Sequence, residues 1–191
     1  MRGGVSGRNP LLAAELERYD WSAHRSFLGG AERLPDAVER LASAESAQEA
    51  DVAWSEIDSV ALVQGRLSEC ALPLTSCLVA GLEGAGTEGR RRMFDLLATI
   101  AGGYDDHVDI ALVGPVSVRE CVRRMTDRLG LFAADLKAHG NPSCVDVLLM
   151  CGVYDASARD HVSDVFREAL ALRSCAGITD LIEASLADLH E

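Results

Sequence analysis

The sequence predicts an all-α fold, and three observations carry that expectation. Alanine and leucine dominate a chain that is 48% hydrophobic but only 5% aromatic, and neither residue loses much side-chain freedom in a helix. Apolar residues recur every three or four positions from Ser46 onward, the period of a helix with one buried face. Helix start signals then mark the intervals: Ser46 with Glu49, Ser117 with Glu120, and Asn141 followed by Pro142.

The elements follow in order. The first ten residues, MRGGVSGRNP, read as loose, and LLAAELERYD makes a short helix with Leu11, Leu12, Leu16 and Tyr19 inward. Pro35 opens a second helix with Val38 and Leu41 buried. From the Ser46 cap, the stripe Ala50, Trp54, Ile57, Val60, Ala61 and Gln64 predicts a helix of about 18 residues. Gly65 is read as its left-handed C-terminal cap and the turn of an αα-hairpin. Pro73 then kinks the returning helix or marks its start, because it has no amide to donate.

Thr87 starts the next helix, with Met93, Phe94, Leu97 and Ile100 inward and Gly102 and Gly103 at its end. Pro115 opens one long helix whose stripe runs Val118, Cys121, Val122, Met125, Leu129, Phe132 and Leu136, with Gly130 inside it as a place for close packing or a break. PSCVDVLLMCG is apolar on several sides and is expected within the stack. Helices starting at Asp155 or Ser157, and at Ser174 or Thr179, complete the chain. His107 to Val113 is the one candidate strand.

Composition excludes several function classes. A net charge of −12 opposes general nucleic-acid binding, which needs clustered positive charge. No apolar run approaches the roughly 18 residues of a membrane helix, and Arg2, Arg8, Glu15 and Glu17 interrupt any secretory core. A cytoplasmic location is expected, with Cys70, Cys77, Cys121, Cys144, Cys151 and Cys175 as reduced core thiols. No phosphate loop, HExxH pair or GxSxG elbow is present, so no cofactor is expected.

Helices starting at Ser46, Thr87 and Asn141 are 41 and 54 residues apart; the first interval suits a helical repeat and the second needs an insertion. The segment from Ser46 to Gly103, with Trp54, Gln64, Gly65, Ala71, Pro73, Leu96 and Leu97, resembles a group of small bacterial HEAT-like proteins. The resemblance implies a short irregular α-solenoid of HEAT-like antiparallel helix pairs, with residues 1–45 as loose N-terminus and capping helices and residues 46–191 as the repeat region, packed with the cap as one domain. It also implies a non-catalytic protein-binding module, an adaptor or an immunity protein neutralising a bacterial toxin. An acidic surface suits a basic toxin or nuclease as partner.

The polar cluster Tyr104, Asp105, Asp106, His107 and Asp109 is the candidate partner-binding loop. A helical metal-dependent enzyme is the alternative, with Asp105, His107, Asp160, His161 and Asp164 as ligands, and a self-associating structural protein is a further one. Cys144 stands at the third position of its helix, where the dipole would lower a thiol pKa. Cys70 and Cys77, and likewise Cys144 and Cys151, are two helical turns apart, about 10.5 Å of rise, too far to bridge. Arg90, Arg91 and Arg92 are expected to pair with Glu83, Glu88 or neighbouring acids.

Overall fold

The structure, a computed structural model, describes residues 9–106 and 109–190. It is all-α, about 70% helix. Eleven α-helices are present among the described residues: α1 (Pro10–Leu16), α2 (Leu34–Ser43), α3 (Ala47–Ala61), α4 (Ala71–Gly81), α5 (Thr87–Ala101), α6 (Ile110–Val113), α7 (Val118–Thr126), α8 (Leu129–His139), α9 (Pro142–Tyr154), α10 (Arg159–Leu170) and α11 (Thr179–Asp188). Two antiparallel ribbons interrupt them, β1 (Arg25–Ser26) with β2 (Gly29–Gly30) and β3 (Leu62–Val63) with β4 (Arg66–Leu67). No described helix is long and apolar enough to cross a membrane.

Five of the described helices, α1, α3, α6, α7 and α9, begin at a residue whose side chain accepts from an orphan amide of the first turn. Ser46 Oγ accepts from the Glu49 amide at 3.3 Å, while the Glu49 carboxylate takes the amide of Glu45 at 2.9 Å, one residue before the partner of a regular capping box. Ser117 Oγ accepts from Glu120, and Asn141 Oδ1 accepts from Ser143, with Pro142 at the first helical position. Pro73 lies in the first turn of α4, where a missing amide costs nothing, so it marks a start and not a kink.

The structure differs from expectation at four places. α3 ends at Ala61, and Gln64 and Gly65 both have positive φ, 53° and 78°. That is a two-residue hairpin turn of the kind whose twist matches the flanking strands, so Gly65 turns a β-ribbon and caps no helix. The ribbon sends α4 away from α3: α3 packs on α2 and α5, whereas α4 packs on α1, α5 and α7. The long helix after Pro115 is two, broken at Asp127 and Arg128, and Gly130 sits in open space beyond the break. Residues 110–113 are a helical turn and not a strand, because Asp109 Oδ1 accepts from the Leu112 amide. Leu11 faces solvent while Leu12 and Leu16 are buried, a seven-residue helix being too narrow to cover all three.

Buried apolar residues from Leu12 to Leu189 form one cluster. α9 lies within it, covered by α5, α7, α8, α10 and α11. Gly140 makes the turn from α8 into α9 at φ 63°, and a Cβ there would come within 2.0 Å of the Ser174 carbonyl oxygen.

Two alanine substitutions separate these effects. Gly140→Ala is expected to destabilise by about 2–4 kcal/mol, through left-handed strain and backbone contact. Gly130→Ala, in an open helical position, should stabilise by about 0.5–1 kcal/mol. Urea unfolding midpoints check both signs.

Candidate functional sites

Two regions gather chemistry. The first is a surface built where the two ribbons meet the segment after α5. Tyr104 joins the β3–β4 ribbon: its amide donates to the Gly65 carbonyl at 2.8 Å and its carbonyl accepts from the Leu67 amide at 3.0 Å. The Glu69 amide donates to Val113 O, and Arg25 Nη1 donates to the carbonyls of Ile110 and Ala111. The Arg25 amide in turn donates to the Glu69 carboxylate. On these segments four large apolar side chains are exposed: Leu28 at 63%, Tyr104 at 60%, Ile110 at 58% and Leu112 at 56%.

The acids of the expected loop have different duties. Asp105 Oδ2 accepts from the Val118 amide at 2.9 Å, and so caps α7 beside Ser117. Asp109 caps α6. Asp106 is exposed and has no side-chain hydrogen bond to another described residue. His107 lies outside the described residues. Asp160, His161 and Asp164 are all exposed on α10, and Asp164 is paired with Arg167 at 2.8 Å. Among the described residues no group of three or more His, Cys, Asp or Glu side chains is placed to hold a metal ion.

The second region is a polar network that the sequence did not reveal. Asp135 is 5% exposed on the same face of α8 as Phe132 and Leu136. Arg90 Nε donates to its Oδ1 at 3.2 Å and Asn141 Nδ2 donates to its Oδ2 at 3.1 Å. His139 Nδ1 lies 3.3 Å from Oδ1. Arg90 also donates to the Leu82 carbonyl and lies over the Phe94 ring, 5.1 Å from its centroid. Beside this network runs a groove of about 410 Å³, whose walls include Arg90, Arg91, Phe94, Asp135, His139 and Pro142.

The arginine run is largely neutralised, although by partners other than Glu83. Arg91 pairs with Glu88, and Arg92 pairs with Asp51 and Asp95 while lying over the Trp54 ring. It is Arg128 that reaches Glu83. The only signal of Asp135 in the sequence is an acid that shares a helical stripe with Phe132 and Leu136, which marks a buried charge only once a partner is known.

All six cysteines are free and buried. Burial pushes Cys70 and Cys151 up to about 11 and Cys121 up to about 12. Cys144 is also pushed up, by burial and then by the charge of Asp135, whose Oδ2 lies 3.8 Å from its sulfur. The expected lowering at a helix start is therefore overridden by desolvation, and Cys144 is no activated nucleophile. Comparison with protein-family models, curated proteins and solved structures finds no match.

Asp135→Ala is expected to cost about 2–4 kcal/mol, because it strands the Arg90 guanidinium and the Asn141 amide; thermal unfolding measures it. The thiols give a pH signature. The folded pKa values of Cys70, Cys121 and Cys151 lie above the unfolded value of about 8.5, so the stability these three contribute is complete below that pH. It is lost as pH rises toward 11–12. Stability measured from pH 7 to 10 should decline above about 8.5, and a thiol reagent should label no cysteine until the chain unfolds.

Proposed function

We propose that this chain is a non-catalytic protein-binding module that recognises a basic protein through the surface of Leu28, Tyr104, Ile110 and Leu112. The carrying observation is that four exposed apolar side chains stand on segments tied by backbone hydrogen bonds to one scaffold. Exposed apolar groups mark an interaction surface where they join into one patch. Asp105, Asp106 and Asp109 border Tyr104 and Ile110 in the chain, and a net charge of −12 speeds encounter with a cationic partner.

Consecutive helices pair as α2 with α3, α4 with α5, α8 with α9 and α10 with α11. That pairing supports reading the architecture as a short, irregular HEAT-like solenoid, and such stacks characteristically bind proteins. Neutralisation of a basic toxin is the function this reading favours, with the apolar residues as anchors and the acids as the steering rim.

The test uses affinity capture from the native host, followed by binding kinetics on the captured protein. A single stoichiometric basic partner is expected, with an association rate falling about tenfold or more as salt rises past physiological strength. Tyr104→Ala with Ile110→Ser should abolish capture, and Asp106→Lys should slow association without disturbing the fold, since the exposed Asp106 caps no described helix. A rate indifferent to salt, capture that survives the double substitution, or a mass that rises with concentration in place of heteromeric capture would each overturn the proposal.

A further inference from the structure

We propose that the groove beside Asp135 is a binding site for a small organic monoanion, a carboxylate carried on an apolar or aromatic body. Its volume, about 410 Å³, falls in the range of small-molecule pockets. The lining is of two kinds. Ala85, Phe94 and Pro142 supply apolar wall, and Arg90 and Arg91 supply guanidinium donors.

The charge of the lining selects the ligand. Arg90 is committed to Asp135 and to the Leu82 carbonyl, and its flat face covers the Phe94 ring. Asp135 offsets the charge of Arg90, to which it is bound, so Arg91 is the guanidinium charge of that wall left to a ligand. A monoanion balances that wall, while a phosphate dianion would leave charge uncompensated in a half-enclosed site. Arg91 is the donor free to change partners: it is 49% exposed, and its bond to Glu88 is a single 3.3 Å contact at the surface. Such an exposed pair contributes little, so a ligand carboxylate taking both guanidinium nitrogens makes the better partner.

The inner half of the site is preorganised. Asp135 fixes Arg90 from α5 and Asn141 at the start of α9. A ligand therefore meets positioned walls and need only rotate Arg91, which limits the ordering cost of binding. This stands in an acidic chain that otherwise repels anions, and it is independent of the protein-binding surface.

Amide NMR shifts of the intact chain, followed while 3-phenylpropionate is added, test the site, with 3-phenylpropanol and inorganic phosphate as the parallel probes. Saturable shifts are expected at Thr87 to Arg91 and at Gly140 to Ser143, with half-saturation below about 10 mM, the weak-binding regime of a fragment-sized ligand. Arg91→Ala should weaken binding about tenfold or more while leaving the unfolding midpoint unchanged. Four results overturn the proposal: no saturation, equal binding of the alcohol, binding of phosphate in preference to the carboxylate, or an Arg91→Ala variant that folds normally and binds as before.

Discussion

Five helices cover α9, and most of the structure follows from having to satisfy that one buried segment. Val145, Val147, Leu148, Cys144 and Cys151 are all fully enclosed, so α9 has little polar face and must meet neighbours nearly all around. Gly152 admits Leu189 to within 2.6 Å of where a Cβ would stand. A helix so enclosed needs its first amides satisfied locally, and Asn141 does this while the left-handed Gly140 sets the angle of entry. The same Asn141 donates its side-chain amide to Asp135, which draws a charge into the core.

That charge has to be matched from elsewhere in the chain. Arg90 reaches it from α5, 45 residues away in sequence. A buried ion pair is a poor source of net stability, because desolvation offsets much of the attraction, but losing either partner is costly. The pair therefore acts as a lock on the relative placement of α5 and the α8–α9 corner. The groove lies beside that lock, with both Arg90 and Asp135 in its wall.

The helical class was legible in the sequence because long apolar stripes with capping residues report burial directly. Ile57, Val60, Met93, Phe94, Leu97, Val118, Cys121, Val162 and Phe166 all stand in the core, and Ser46, Ser117 and Asn141 all cap helices. The connections were less legible. Gly65 is compatible with a helix cap or a hairpin turn, and what decides between them is the backbone of Tyr104, nearly forty residues away. The Asp127–Arg128 break was hidden because the apolar period continues across it. The Asp135 network was illegible for the same reason as the Tyr104 contacts: each exists only through partners distant in sequence. The thiol of Cys144 shows a local rule, stabilisation at a helix start, losing to a tertiary one, exclusion of water.

The ribbons are short: among the described residues every strand is two residues long, and the third member beside β4 is the single residue Tyr104. An edge of that length exposes too few unpaired amides and carbonyls to template another chain. Among the described residues no edge offers the length used in recognition by strand addition, as in domains that extend a sheet with a partner peptide. A partner of the kind proposed for this surface would read side chains, its selectivity residing in shape and charge and not in a shared backbone ladder.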